Sequence, residues 1–420
     1  MGAKQRKVAG LASSGDWNVR GCALPRFIFL FVLLTFAPDC FPLQAFASSV
    51  SGLRGPVQPV NWSSSQGRQV VAAGVVASSE QLQTLNGPQQ VSLLTVDLTN
   101  PHVRLGVVAA HDQLLGSGET VSSMATRSGA VAGINGDFFE INATGAALGI
   151  VEINGQLWQS PASFEVLGVN RFGRVTIGAE TFVGNVSANG SSYPLHSLNR
   201  HSDIYGNNLT LFTPALGGSI PLRGGLAALL QPVANSPHTF TLQALQPGLR
   251  SLPVLHGQVA LVGSGRAGTW LRAHLVRPGE TLRINESIAP DSHLVQAIGG
   301  GSVLIKNGVF YHDPAALAPG PTIQTSLTAV GLSRDGHVML LAVCNGGSSD
   351  ALHSQGFTGA EMAGYLLAHG VYQAILLDGG GSSEMVARLP GQVNVSVLNA
   401  PSDHHERPVA NGWFVYSVSS

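Results

Sequence analysis

Apolar residues along this chain fall in short β-branched runs, and Gly, Pro, Asn and Asp separate them. That pattern predicts strands and turns rather than long helices. "VSLLTVDLTNPHVRLGVVAA", from Val91 to Ala110, holds two such runs split by Asn100-Pro101, so it reads as a hairpin or two adjacent strands. "AVAGINGDFFEI" reads as a buried strand followed by a turn. From Leu148 to about Asn285 the runs stay short, with a break every ten residues or so and no long helical period. "QAIGGGSVLIKNGVF" and "TAVGLSRDGHVMLLAVCNGG" are two further strand-turn-strand units, and Asp335-Gly336 in the second suits a hairpin turn. The clearest helix is Thr358 to His369, where Met362, Tyr365, Leu366 and His369 share a face and Gly370 marks the stop. "VYQAILL" then predicts a buried strand that delivers Asp378 to a glycine loop, the kind of place where α/β layouts meet ligands. No internal repeat is present. The expected class is α+β: a β-rich mixed sheet domain with a few helices packed on it, and a variable β-rich middle at about 150–290.

The N-terminus changes the domain plan. Lys4, Arg6, Lys7, Arg20 and Arg26 flank an apolar core of eleven residues, Phe27 to Ala37, and Ala45-Phe46-Ala47 offers a cleavage site before Ser48. Spanning a membrane takes roughly 20 apolar residues, so the expectation is a cleaved signal over 1–47, with no integral membrane segment afterwards. Cys40 follows Pro38-Asp39 and does not resemble a lipoprotein site. Residues 48–68, rich in Ser, Gly and Pro, read as a linker, and 69–420 as the domain. After cleavage Cys344 is the one cysteine left, which excludes an intramolecular disulfide and suits bacterial export, to the periplasm or outside the cell. Seven Asn-x-Ser/Thr sites, Asn61, Asn208 and Asn394 among them, carry no weight in such a cell. A formal charge of −1 gives no electrostatic case for nucleic acid or an anionic membrane.

Standard catalytic signatures are absent: no GxSxG, HExxH or CxxC, and no glycine loop ending in Gly-Lys-Ser/Thr. The 14 histidines, including His404-His405, show no metal-ligand spacing. No cofactor is expected, and a divalent cation stays open. What remains is polar residues at turns. "NGDFF" places Asn135, Gly136 and Asp137 at a strand end, or is an Asn-Gly turn with two core aromatics. Gly299-Gly300-Gly301 is a bulge, a turn or a place of close approach. "LDGGGSSEM" crowds Asp378, Gly379, Gly380, Gly381, Ser382, Ser383 and Glu384 on a backbone able to present N–H groups to an anion. "PSDHHERPV" holds Asp403 and Arg407, and its alternative is an exposed charged loop. Glu361 invites a catalytic reading, but Thr358-x-x-Glu361 has capping-box spacing.

Taken in order, "INGDFF", "AIGGGSVLIKNG", "TAVGLSRDGHVMLLAV", "GFTGAEMAGYLLAHGVYQAILLDGGGSSEMV" and "NAPSDHHERPVANGWFV" resemble the phosphodiester glycosidase family, from about Val91 to the C-terminus. That family has many exported bacterial members linked to exopolysaccharide. The resemblance implies cleavage of a sugar from a phosphate, leaving a phosphomonoester. It implies Asp378, Asp137 and Glu384 as carboxylates near the anomeric carbon. The amides of Gly379 to Gly381, with Ser382, Ser383 and Arg407, are implied as an anion cradle. Asn135, Gly136, Gly300, Gly301, Thr328, Asn345 and Asp403 are implied as lining the same site. Two departures stand out. The family commonly has Arg-Thr where this chain has Leu327-Thr328, and Val-Asp-Gly-Arg where it has Cys344-Asn345-Gly346-Gly347. These imply a pocket short of one positive and one negative charge. The alternatives are a non-catalytic glycan-binding protein on the same fold and a different hydrolase or transferase acting on a phosphate-linked surface glycan.

Overall fold

A computed structural model describes residues 58–59, 67–222, 224–253, 255–311, 323–347 and 353–418. The expected signal and most of the expected linker lie outside the described residues. Among those residues no helix is long and apolar enough to cross a membrane.

Three sheets share one core. The largest has nine strands, with Gly87–Asp97, Val338–Cys344, Leu327–Ser333, Val371–Leu376 and Ser302–Lys306 lying side by side in that order. The second, of five strands, runs Ser396–Val397, Met385–Ala387, Ala132–Asn135, Asn411–Ser417 and Val103–Ala109. A third, also of five, is centred on Glu165–Asn170 and Leu294–Gly299. Leu94, Val330, Leu341 and Ile375 from the first, Ile134, Met385 and Trp413 from the second, and Leu167 and Ile298 from the third are buried against one another. The period of two explains the layering. In Leu327–Ser333 the residues Leu327 and Ala329 face one side, whereas Val330 and Leu332 face the shared core. Within the stretch read as a β-rich middle, the strands between 151 and 179 belong to the third sheet, and a fourth sheet of eight strands, from Thr181–Ala188 to Thr281–Ala289, has its own apolar cluster. The β-rich α+β expectation is borne out.

Among the described residues three α-helices cover outer faces. Helix α1, Val121–Ser128, buries Val121, Met124 and Ala125 on the second sheet. Helix α2, Gly265–His274, buries Ala267, Trp270 and Leu271 on the fourth. Its glycines and shortness hid it from a periodicity reading. Helix α3, Gly359–Ala368, lays Met362, Ala363, Tyr365 and Leu366 on the outer face of the large sheet. Its N-terminus is a complete capping box. The Thr358 hydroxyl accepts from the Glu361 amide at 3.2 Å, and the Glu361 carboxylate accepts from the Thr358 amide at 2.9 Å. Glu361 is therefore a cap. Gly370 follows with φ +78°, as a C-terminal glycine stop requires.

Two stretches, one read as a hairpin or two adjacent strands and the other as a strand-turn-strand unit, contain changes of sheet. Val91–Ala110 is not a hairpin: Gly87–Asp97 pairs within the large sheet, Val103–Ala109 pairs with Asn411–Ser417 in the second, and Asn100-Pro101 turns the corner between them. Both halves are apolar because both face the shared core. Gly299–Gly301 likewise carries the chain from the third sheet into the first, and the hairpin lies later, over Asn307-Gly308. The Asp335-Gly336 hairpin forms as predicted, with Leu332 opposite Met339. The strand Val371–Leu376 is antiparallel to both neighbours, so the site it ends in is not the switch point of a parallel sheet.

Candidate active site

The ends of Ala132–Asn135 and Val371–Leu376 meet where the second sheet packs on the first. The Leu377 amide donates to the Thr328 carbonyl at 2.9 Å, and the Asp378 amide donates to the Gly136 carbonyl at 3.1 Å. Asn135, fully buried, ties the junction together. Its Nδ2 donates to the Asp378 carbonyl at 2.8 Å, and its Oδ1 accepts from the Thr328 hydroxyl at 2.8 Å and the Glu384 amide at 3.1 Å.

Asp137 follows directly and is 1% exposed. Its amide donates to Asn411 Oδ1 at 2.9 Å, its Oδ2 accepts from the Gly149 amide at 2.6 Å, and its Oδ1 has no hydrogen-bond partner among the described residues. Burial pushes this carboxyl up to about 7. The Gly149 amide and the Arg200 charge pull against that rise, and the nearby Asp378 adds to it. Glycine is required around this carboxylate. A Cβ on Gly149 or Gly299 would stand 2.7 or 2.6 Å from Asp137 Oδ2, and one on Gly136 would stand 2.1 Å from Asn411 Oδ1.

Asp378 is half-buried and accepts from the Gly379 amide at 2.8 Å. Burial raises it to about 6, opposed by the Ser382 hydroxyl, the Gly379 amide and the Arg407 charge. The glycine loop forms a 3-10 turn over Gly380–Ser382, and Gly380 has φ +61°. The amides of this loop are largely spent inside the protein. Gly380 donates to the Ser326 carbonyl at 2.9 Å, Ser382 to Gly379 at 3.3 Å and Ser383 to Gly380 at 3.1 Å. The expected row of amides open to an anion is therefore not formed by Gly379 and Gly380. Gly381 serves a different close approach. A Cβ on Gly381 would lie 2.0 Å from Arg407 Nη2 and 2.3 Å from Asp403 Oδ2. Arg407 grips Asp403 Oδ2 through Nε and Nη2, each at 2.7 Å, and reaches Ser382 Oγ with Nη1 at 3.3 Å. This guanidinium lies on the loop and supplies the positive charge beside Asp378.

Other expected site residues sit further back. Gly300 and Gly301 join sheets: their amides donate to the Glu165 and Leu376 carbonyls, both at 2.8 Å, and a Cβ on Gly300 would meet Ile375 Cδ1 at 2.6 Å. The Ser383 hydroxyl is buried without a hydrogen-bond partner among the described residues. Glu384 contributes its backbone to Asn135, but its carboxyl pairs with Glu406 and with the Ser122 amide at the start of α1. Burial, then Glu406, pushes it up to about 9, and neither Asp137 nor Asp378 figures among the charges that shift it. Leu327 is 1% exposed, packed with Leu82, Phe357 and Leu376 on the α3 side of the sheet. Asn345 Oδ1 accepts from the Ala400 amide at 3.0 Å. At the two departures Leu327 packs in an apolar layer and Asn345 accepts from a backbone amide. Sequence reasoning missed Gly149, Asn411 and Arg200. Asn411 lay inside a quoted motif. The other two had no local signal. Among the described residues no group of three or more His, Cys, Asp or Glu is arranged to hold a metal.

Residues 252–416 match the phosphodiester glycosidase family, so the resemblance read from the motifs stands. The matched segment holds Asp378, Glu384, Asp403 and Arg407, whereas Asn135 and Asp137 precede it. The bovine (Bos taurus) N-acetylglucosamine-1-phosphodiester alpha-N-acetylglucosaminidase is 31% identical over 159 residues, 35% of this chain, and the match spans 27% of the bovine protein. A crystal structure of a Synechocystis protein superposes with a TM-score of 0.66 at 20% identity, covering 82% of this chain and 62% of that one. A Burkholderia pseudomallei protein gives 0.61 at 21% identity, covering 78% and 74%. These two define the fold.

Proposed function

We propose that this protein is an exported hydrolase that cleaves the sugar–phosphate bond of a glycosyl phosphodiester, in exopolysaccharide or cell-surface glycan metabolism. The observation that carries this reading is the convergence of Asp137 and Asp378 at one junction, where the Asp378 amide donates to the Gly136 carbonyl, with Arg407 on the loop beside Asp378. Asp378 loses its proton first because it is less buried and faces Arg407. It is the base for water, or the nucleophile, at the anomeric carbon. Asp137, deeper and with the higher affinity for its proton, gives that proton up at higher pH than Asp378 does, which limits repulsion between the two over the interval between them. With Asp378 as the base, the carboxylate takes a proton from water as the water oxygen bonds to the anomeric carbon, and the bond from that carbon to the phosphate oxygen breaks with its electron pair leaving on the phosphate. With Asp378 as nucleophile, its own oxygen bonds to that carbon first, and water then releases the sugar from it. The leaving phosphomonoester is a weak base, so it departs without a protonating acid. Arg407 pairs with its charge. The family match and the bovine relative's named activity support this substrate class, and the N-terminal apolar segment supports export.

The test is a screen of α-linked sugar phosphodiesters, with and without chelator, that measures free sugar. Release that disappears in Asp378→Asn supports the hydrolase. Saturable glycan binding without release supports the non-catalytic reading, which the internally satisfied loop amides favour.

A further inference from the structure

Arg200 belongs to the middle region, outside every motif and outside the family match. It precedes a short 3-10 turn, His201–Asp203, and its side chain is 12% exposed. Nη2 donates to the Leu148 carbonyl at 2.8 Å, Nη1 to the Ser160 carbonyl at 3.1 Å and the Gly149 carbonyl at 3.4 Å, and Nε faces Asp203 Oδ2 at 3.6 Å. Gly149 joins Arg200 to the site: its carbonyl meets the guanidinium and its amide meets Asp137 Oδ2 at 2.6 Å. The charged groups around this contact are few. Asp378 and Arg200 face Asp137, while Asp203 and Glu140 also face Arg200, and His201 lies 3.4 Å from Glu140. Arg200 is thus the cation set against Asp137, and Arg407 serves Asp378.

We infer that Arg200 is a positioning residue of the site: it clamps the Leu148–Gly149 segment onto Asp137 and places a positive charge against that carboxylate. The inference rests on Asp137 being a site carboxylate. A planar guanidinium that spans three carbonyls fixes a segment in a way a lysine cannot. Arg200 also lines two cavities, of about 510 Å³ with Phe164, Glu180 and His196, and about 320 Å³ with Gln159 and His201. Through Gly149 the middle region therefore reaches the site, and its Arg200 opposes the rise that burial imposes on one of the site's carboxyls.

The test is a titration of the Asp137 carboxyl by carbon-13 NMR on labelled protein, its signal assigned by its loss in Asp137→Asn. Arg200→Gln is expected to raise the midpoint by about one pH unit or more. Arg200→Lys should raise it less, since it keeps the charge and loses the fork. Asp203→Asn frees Arg200 from a competing carboxylate and should lower the midpoint, but not in the Arg200→Gln background. An unmoved midpoint in folded Arg200→Gln overturns the inference. If that variant does not fold, an Asp203→Asn midpoint that stays put overturns it instead. Midpoints that move as expected in a protein that releases no sugar would sink the hydrolase reading and leave this one standing.

Discussion

The side chain of Asn135 holds the backbone of Asp378: its Nδ2 donates to that carbonyl at 2.8 Å, across 243 positions of sequence. The same carboxamide accepts from Thr328 and Glu384, so one buried residue fixes two strand ends and the end of the glycine loop. Catalytic geometry in this reading depends on a residue that performs no chemistry.

Asn135→Ala removes three hydrogen bonds and leaves the Thr328 hydroxyl buried without its acceptor. Each buried group so stranded costs about 1–3 kcal/mol. Denaturant unfolding should show a loss of that order or more, and sugar release should fall with it. Asn135→Asp keeps the acceptor side alone, so it should rescue Thr328 and not Asp378. A stable, active Asn135→Ala would remove Asn135 from its central position.

Gly381→Ala places a methyl on Arg407 and Asp403, whose atoms lie within 2.0 and 2.3 Å of the new Cβ position. The ion pair must shift away from Ser382. KM for a phosphodiester should rise by about one to two orders of magnitude, the scale of one lost charge-assisted contact, with a smaller effect on kcat. An unchanged KM would show that Arg407 does not meet the substrate.

Stability should decline from acid to alkaline pH. Asp137, Asp378 and Glu384 are all raised, to about 7, 6 and 9, from their ordinary values of 3.8, 3.8 and 4.5. A raised carboxyl keeps in the folded state a proton that the unfolded chain releases. Its stabilisation is complete below the unfolded value and is lost as pH climbs through the folded one. Melting temperature should therefore fall between about pH 4 and 9. Glu384→Gln should flatten the part between about 7 and 9, and Asp137→Asn the part up to about 7. A profile that rises over this window would contradict the burial of these groups.

Restoring the family's charges at the two departures should not help. Leu327 faces the apolar layer beneath α3, so Leu327→Arg buries an unpaired guanidinium at a cost of about 3 kcal/mol or more. Asn345→Asp keeps the acceptor for Ala400 and should fold normally. The double variant is expected to be less stable, with no gain in sugar release. Higher kcat/KM in a well-folded double variant would show that Leu327 borders the site after all.

The sequence made legible the elements whose cause is local. Helix α3 was readable because its cap, its apolar face and its glycine stop are neighbours in sequence, and the Asp335-Gly336 hairpin because its turn is two residues. Asp137 and Asp378 were readable as carboxylates at strand ends. Their pairing was not, because it depends on two strands in different sheets converging. The corners at Asn100-Pro101 and Gly299–Gly301 looked like strand-turn-strand units because a strand that changes sheets keeps the same alternation. Three consecutive glycines were read as an open anion cradle. The close approach at Gly381 is to Arg407 and Asp403, which are distant in sequence. Arg200 left no trace, since a guanidinium that binds backbone carbonyls needs no particular neighbours.

The central claim is that Asp378 performs the chemistry. Its most direct test is single-turnover release of free sugar from an α-linked sugar phosphodiester by the wild-type protein and by Asp378→Asn, with melting temperatures of both. The account predicts that the wild type yields free sugar and phosphomonoester. It predicts that Asp378→Asn folds as the wild type does and is slower by about two orders of magnitude or more. A folded Asp378→Asn with an unchanged rate, or a wild type that binds the diester and leaves it intact, would contradict it.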